Sequence, residues 1–297
     1  MTAPRLSILA PFYRDDPSVL LRSLAAQERI DEVEVLIMDD GTGNPTLTRA
    51  VDATIADIAL PVQHLQAPQN RGRSATRNAL QEVARADWVL FLDADMRVDH
   101  PDFVARYLER IEAGDCDALF GGFTVERSDD VQTDLHRALS DASDCLSAAE
   151  RQSAGPQYVA SSNLCVRKTV LEADPFDAGF TGWGWEDSEW AARVHAKHRL
   201  VHLDNPAVHL GLETTDTLLA RFASSGPNYR RFTQMHPALA RDLPLFRIVS
   251  RLARVPGHGL SRPVLRAAVR AHALPTRLRV LALKLWRASH YAEAMRG

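Results

Sequence analysis

The chain has 297 residues, of which 45% are apolar and 25% are charged, so collagen-like and wholly disordered proteins are excluded. Its three cysteines form no CxxC pair, so we expect neither a zinc knuckle nor a disulfide framework, and a reducing compartment fits best. The N-terminus lacks the apolar core of a signal peptide, and no apolar stretch reaches the roughly 18 residues of a spanning helix. These features predict a cytoplasmic protein.

The net charge of −3 conceals an uneven distribution along the chain. Residues 246–297 contain 11 Lys and Arg residues and a single acid, Glu293, for a net charge of +10. The preceding 245 residues contain 24 basic and 37 acidic residues, for a net charge of −13. A basic tail on an acidic body predicts that the tail contacts something anionic.

Short apolar runs and helical patterns alternate over the first 100 residues. Helical patterns cover 17–27 and 74–84, and the apolar runs span residues 6–10, 33–38, 62–65 and 88–92. Buried parallel strands have such continuous apolar runs, so we predict an α/β fold with a mostly parallel central sheet. Ligands bind these sheets at the carboxyl ends of the strands, which here carry Pro11-Phe12-Tyr13, Asp39-Asp40 and Asp93-Ala94-Asp95.

The rest of the chain continues with two strands and then with helices alone. We predict strands over 118–125 and 159–166, with a polar helical stretch over 129–152 between them. From 214 to 245 the pattern is helical, with breaks at Gly226-Pro227 and Pro237. A helix over 276–290 would place on one face Leu278, Leu281, Ala282, Leu285 and Ala288.

Two carboxylates follow the strongest apolar run. Asp93 and Asp95 are separated by one residue, and if the chain turns there they can share a hard cation such as Mg²⁺ or Mn²⁺. Such a cation would offset the charge of a diphosphate leaving group. The alternative is a solvated turn that caps the following helix.

Four segments in the first half of the chain resemble the family 2 glycosyltransferases, which have a GT-A fold and use nucleotide-sugar donors. The matching segments are residues 6–13, 35–41, 70–78 and 91–95. The resemblance implies a GT-A domain over 1–212, with a nucleotide-binding half (1–100) and an acceptor and catalytic half (101–212). The remainder, 213–297, is then a helical, basic C-terminal extension.

The same resemblance implies roles for the residues at the strand ends. Pro11 and Tyr13 would line a base pocket in which Asp40 reads uracil, with Asp39 beside it. A carboxylate accepts the imide N–H that cytosine lacks, and an aromatic ring stacks on a base, although Tyr13 could instead fill the core. Asp95 would be the principal metal ligand, Asp93 would lie near both the ribose and the metal as a further ligand, and Ala94 between them would contact the donor.

A second patch comprises Asn70, Gly72, Arg73, Arg77 and Asn78. Gly72 would let the backbone approach a ligand closely, and the arginines are fixed charges that suit a pyrophosphate. Arg73 and Arg77 are four residues apart, so they share one face if the segment is helical. The alternative is that these arginines pair with acids of the body.

Residues 180–190 combine tryptophans, glycines and carboxylates in one short stretch. The stretch resembles the GWGxEDxE motif of chondroitin-polymerase-type and polypeptide N-acetylgalactosaminyltransferase-type enzymes. That resemblance implies that Asp187 is the general base of an inverting transfer, that Glu186 beside it contacts a sugar, and that Trp183 and Trp185 shape the sugar site. The alternative is a hydrophobic loop that anchors a helix beginning near Asp187, which suits Trp190.

The same relatives carry a metal-binding histidine at the position of His209. An imidazole beside carboxylates suits Mn²⁺ better than Mg²⁺, and His202 is the nearest rival for the role. Residues 161–163 stand where the family places a strand end that contacts the sugar.

The pattern of the tail suits an interfacial membrane helix, and equally a helix docked on the acidic body. A nucleic-acid partner is not expected, because no aromatic and basic platform accompanies the charge. We therefore predict a metal-dependent enzyme that moves sugar from a UDP-sugar to a glycan or lipid-linked saccharide, with possible peripheral contact to the inner face of the membrane. A nucleotidyltransferase acting on a sugar phosphate and an inactive, glycan-binding transferase fold are the alternatives.

Overall fold

The structure is a computed structural model that describes residues 3–127 and 129–296. Its strands are β1 (Leu6–Phe12), β2 (Val33–Asp39), β3 (Val62–Gln66), β4 (Trp88–Leu92), β5 (Met96–Arg97), β6 (Ala118–Phe120), β7 (Phe123–Val125), β8 (Asn163–Arg167), β9 (Leu200–His202) and β10 (Ala207–His209). Its α-helices are α1 (Ser18–Ala25), α2 (Pro45–Asp57), α3 (Arg73–Val83), α4 (Phe103–Ala113), α5 (Asp134–Ser143), α6 (Ala148–Ala154), α7 (Lys168–Ala173), α8 (Glu186–His195), α9 (Thr215–Ser224), α10 (Gly226–Met235), α11 (Pro237–Asp242), α12 (Pro244–Leu252), α13 (Arg262–Arg270) and α14 (Thr276–Ala294).

The central sheet confirms the predicted α/β fold. Its strand order is β3-β2-β1-β4-β8-β6-β9, with β3, β2, β1 and β4 parallel and β8 antiparallel to both of its neighbours. Alternate residues of β4 enter different cores, since Leu90 packs on one face of the sheet and Phe91 on the other. Both faces are therefore covered, which explains the continuous apolar runs.

The predicted single strand over 118–125 is wrong. Gly121 and Gly122 divide it into β6, in the central sheet, and β7, in a small sheet of order β5-β10-β7. A Cβ at Gly121 would collide with the Tyr107 hydroxyl and the Asn163 amide, and Gly122 has a φ of +79°. The strand predicted over 159–166 begins only at Asn163, and helices α2 and α4 were not predicted.

Helices alone follow the small sheet, as predicted, and the expected breaks occur at Ser225 and His236. The extension packs on the body: Arg279 Nη1 lies 2.6 Å from Asp134 Oδ2, and Arg231 Nη2 lies 2.7 Å from Asp177 Oδ2. None of the helices in the described ranges is long and apolar enough to cross a membrane. Division of the chain at 212/213 remains a prediction, and Leu139 of α5 shares a hydrophobic cluster with Leu283 of α14.

Candidate active site

A cavity of about 690 Å³ opens at the carboxyl ends of β1, β2 and β4. The predicted site residues that line it are Pro11, Tyr13, Asp40, Asn70, Gly72, Arg73, Arg77, Asp93, Ala94, Asp95, Trp183, Asp187 and His209. Asp39, Glu186 and Trp185 do not line it. The structure thus gathers thirteen of the sixteen predicted residues from distant parts of the chain around one cavity.

The turn after β2 is held by its two aspartates. The carboxylate of Asp40 accepts hydrogen bonds from the backbone N–H groups of Arg71 (2.9 Å) and Gly72 (3.0 Å), whereas Asp39 accepts one from Thr42 N at 2.8 Å. A Cβ at Gly41 would fall on the backbone of Gln69, so only glycine allows this close approach. Asp39 therefore shapes the turn, and Asp40 fixes the loop that forms one wall of the cavity.

Tyr13 stands at the mouth of the cavity, where its side chain is 37% exposed. The guanidinium of Arg14 lies 4.8 Å from the centre of its ring. An exposed ring is free to stack on a ligand, so the core-filling alternative for Tyr13 is wrong.

The two arginines of α3 have different environments. Arg77 is buried; its Nη2 donates to Asp93 Oδ1 at 2.9 Å, and its Nη1 lies 3.9 Å from Asp187 Oδ1. Burial opposes the charge, but the surrounding carboxylates outweigh it and raise the pKa of Arg77. Arg73 is 44% exposed at its side chain, and its Nη1 lies 3.7 Å from Glu186 Oε1. Arg77 therefore neutralises the acids of the body, as the alternative predicted, while Arg73 remains accessible from the cavity.

Pairing of β10 with β5 brings His209 to the end of β4, because His209 lies opposite Met96 in the register. His209 Nε2 is 3.1 Å from Asp95 Oδ2. Burial acts against both charges, yet the hydrogen bond and the opposite charge prevail, so the pKa of Asp95 is lowered and that of His209 is raised. A Cβ at Gly211 would fall on Asp95 Oδ2. His202 instead packs on Phe120, away from this pair.

No three His, Cys, Asp or Glu side chains within residues 3–127 and 129–296 are grouped so that they could hold a metal ion by themselves. Asp95 and His209 supply a carboxylate oxygen and an imidazole nitrogen, a donor set that suits Mn²⁺. Asp93 Oδ1 is already bonded to Arg77. The arrangement fits an ion that takes its remaining ligands from a diphosphate and water.

The Glu186-Asp187 pair begins α8, where carboxylates are favoured by the helix dipole. Asp187 Oδ2 accepts from Ser161 N at 3.0 Å and Asp187 Oδ1 accepts from Ser161 Oγ at 2.7 Å, which fixes a carboxylate at the cavity wall. Burial and then the charge of Asp187 raise the pKa of Glu186. Ser162 also lines the cavity, whereas Asn163 is buried and accepts from the Tyr107 hydroxyl at 2.8 Å.

Two of the three tryptophans in residues 180–190, Trp183 and Trp185, pack in different places. Trp183 lines the cavity and packs edge-on against Phe222, with ring centres 5.3 Å apart. Trp185 packs against Tyr229 and Phe232, and its Nε1 donates to the Tyr291 hydroxyl at 3.1 Å. Trp185 therefore packs on the helical extension and does not line the cavity, a position that neither the resemblance nor the alternative predicted.

Sequence reasoning missed the side of the cavity formed by α5 and α9. This side includes His136, Asp144, Glu213 and Arg221, and Asp15, which also lines the cavity, lies in the segment after β1. Arg221 pairs with Glu213, and the backbone N–H of Glu213 donates to His136 Nδ1 at 2.7 Å. The position of Glu213, four residues after His209, was the only local signal.

The model of the family Glycosyl transferase family 2 matches residues 7–165, which is more than half of the chain. The chain belongs to glycosyl transferase family 2. Among curated family relatives, the putative glycosyltransferase EpsH of Bacillus subtilis is 27% identical over 135 residues, covering 45% of this chain and 38% of EpsH. The chain thus spans well under half the length of this relative.

Solved structures share the fold over almost the whole chain. The mannosyltransferase PcManGT of Pyrobaculum calidifontis, in complex with GDP-Man and Mn²⁺, has a TM-score of 0.60 and 18% identity, covering 97% of this chain and 86% of that one. S. aureus TarS 1–349 in complex with UDP-GlcNAc has a TM-score of 0.54 and 15% identity, covering 98% and 90%. At these identities the likeness shows the GT-A fold alone.

Proposed function

We propose that the chain is a metal-dependent glycosyltransferase that moves a sugar from a UDP-sugar to a glycan or lipid-linked saccharide. The observation that carries the proposal is the arrangement of the cavity. The Asp95–His209 pair, the accessible Arg73 and Asp187, which is hydrogen-bonded to Ser161, all line the same cavity. Family membership and neighbours solved with UDP-GlcNAc or with GDP-Man and Mn²⁺ support the donor class.

The donor would lie along the strand ends. Tyr13 would stack on the base, and Asp40, which already fixes the loop at Gly72, would accept the imide N–H of uracil through its remaining lone pairs. Arg73 would contact the diphosphate. Asp95 and His209 would hold Mn²⁺, which when bound neutralises charge on the leaving diphosphate.

Asp187 would act as the general base of an inverting transfer. Its carboxylate would accept the proton of an acceptor hydroxyl while that oxygen forms a bond to the anomeric carbon and the bond to UDP breaks. The two hydrogen bonds from Ser161 hold the carboxylate in one orientation, and Arg77 Nη1 lies 3.9 Å from Asp187 Oδ1. Trp183 and the side formed by α5 and α9 would receive the acceptor.

The proposal is tested by incubating the purified chain with Mn²⁺ and a panel of UDP- and GDP-sugars, with and without saccharide acceptors. We expect UDP release that depends on Mn²⁺ and is increased by an acceptor. Pyrophosphate release from a nucleoside triphosphate and sugar phosphate would instead identify a nucleotidyltransferase. Saccharide binding without turnover of any donor would identify a glycan-binding module, and either result overturns the proposal.

A further inference from the structure

Exposed apolar side chains are concentrated in the C-terminal extension. Of the 13 large hydrophobic residues exposed in the described ranges, eight lie between positions 248 and 285: Ile248, Val255, Leu260, Val264, Leu274, Leu278, Leu281 and Leu285. Leu260 is 84% exposed and Val264 is 71% exposed. Leu278, Leu281 and Leu285 of α14 are thus exposed to solvent, whereas Leu283 and Tyr291 of the same helix are buried. A clustered apolar surface of this kind marks a contact site.

The same helices carry arginines that have no acidic partner within the described ranges. Three basic residues of α13 and α14 are neutralised, since Arg262 pairs with Glu293, Arg270 with Asp216 and Arg279 with Asp134. Between positions 241 and 277, the exposed arginines without such a partner are Arg241, Arg247, Arg251, Arg254, Arg266 and Arg277. Their charge is free to attract an anionic surface.

Four of these arginines surround one shallow cleft of about 250 Å³. Arg247, Arg251 and Arg254 follow one another at helical spacing along α12 and its end, and Arg241 and Phe246 complete the lining. Guanidinium groups converging on an open cleft form a site for a phosphate group. The exposed Ile248 and Val255 lie beside these arginines in the chain.

We infer that α12, α13 and α14 form a docking surface for a bilayer that contains anionic phospholipids. The arginine cleft receives lipid phosphates, and the exposed Leu and Val side chains enter the interface between headgroups and acyl chains. A second copy of the chain fits this surface poorly, because a twofold dimer would place the same uncompensated arginines against each other. The inference is independent of the proposed chemistry, since none of these residues lines the active-site cavity.

The test is co-sedimentation of the full chain with vesicles of phosphatidylglycerol and phosphatidylcholine, compared with pure phosphatidylcholine, at low and high salt. We expect binding to the anionic vesicles alone, weakened by salt. The triple variant Arg247→Gln/Arg251→Gln/Arg254→Gln should lower partitioning by roughly 100-fold, because each basic residue contributes about fivefold near an anionic surface. The variant Leu278→Ser/Leu281→Ser/Leu285→Ser should also bind more weakly while keeping the charge.

The matched control is Arg22→Gln/Arg49→Gln/Arg106→Gln, which removes three positive charges from α1, α2 and α4. This control should bind the vesicles like the wild type, and free pyrophosphate should not release the bound chain. Thermal unfolding verifies that each variant is folded. Four outcomes would overturn the inference. The wild type could bind both vesicle types equally, or both test variants could bind as well as the wild type. The control variant could lose as much binding as the arginine variant, or pyrophosphate could release the bound chain.

Discussion

His209 Nε2 lies 3.1 Å from Asp95 Oδ2, although 114 positions separate the two residues. If this pair holds the metal, Asp95→Ala should lower the Mn²⁺-assisted affinity for UDP by at least about 10-fold, and His209→Ala should lower it similarly. Titration calorimetry with and without Mn²⁺ measures the effect. His272 is exposed, and His272→Ala is the matched control, which should bind UDP like the wild type. An unchanged Mn²⁺ dependence of UDP binding in Asp95→Ala would exclude Asp95 as a metal ligand.

Replacement of the general base should separate binding from turnover. Asp187→Asn keeps an oxygen that can accept from Ser161 but cannot take the acceptor proton, so we expect turnover to fall at least about 100-fold with unchanged donor affinity. Initial rates of UDP release and calorimetric UDP binding check the two quantities. The control is Asp141→Asn, on the exposed side of α5, which should have wild-type rates. Near-normal turnover in Asp187→Asn would mean that Asp187 is not the general base.

The two arginines of α3 should differ in their effect on stability. Arg77→Met leaves Asp93 and Asp187 without their buried counterion, and we expect the free energy of unfolding to fall by about 3–5 kcal/mol. Arg73→Met removes a half-exposed group and should cost below about 1 kcal/mol. Urea unfolding of both variants tests the contrast. Equal losses would mean that Arg77 is not the counterion of the site.

Trp185→Ala should destabilise the fold because it removes the packing against Tyr229 and Phe232 and the hydrogen bond to the Tyr291 hydroxyl. We expect a loss of about 3–5 kcal/mol in urea unfolding. Trp183→Ala should instead reduce kcat/KM with a smaller loss of stability, since this ring lines the cavity. The opposite pattern would return Trp185 to the sugar site.

Stability should fall as the pH falls from 6.5 towards 4. Burial, aided by nearby arginines, lowers the pKa of His202 and of His290 to about 4, from 6.5. Within this window the two histidines bind protons in the unfolded chain but not in the folded chain. Their contribution to the free energy of unfolding is therefore complete above pH 6.5 and decreases as the pH falls towards 4. Urea midpoints measured across this range test the slope.

His290→Phe should make that pH dependence shallower. Phenylalanine retains an aromatic contact with Trp286, whose ring centre lies 4.5 Å from that of His290, and removes one titrating group. A slope that is identical in wild type and His290→Phe would show that His290 takes up no proton on unfolding.

The sequence alone was enough to predict the α/β fold and the strand ends that carry the site. Both follow from local physics: buried parallel strands are apolar throughout, Pro11 lies near the carboxyl end of β1, and Asp40 and Asp93 directly follow β2 and β4. Pairing of His209 with Asp95 was predicted only through the family resemblance, because no local pattern links positions so far apart.

Other features required the tertiary structure. Trp183 and Trp185 stand two positions apart in one motif and are alike in sequence. In the structure, the backbone of Trp185 is left-handed (φ of 77°) and its ring packs on the helical extension, whereas Trp183 lines the cavity. The five residues predicted to share one face of α14 are divided in the structure: Leu278, Leu281 and Leu285 are exposed, whereas Ala282 and Ala288 are buried where α14 packs on its neighbours. Periodicity determines which side chains share a face of a helix or strand. Long-range contacts determine whether that face packs in the core, lines the active site or forms the exposed arginine surface.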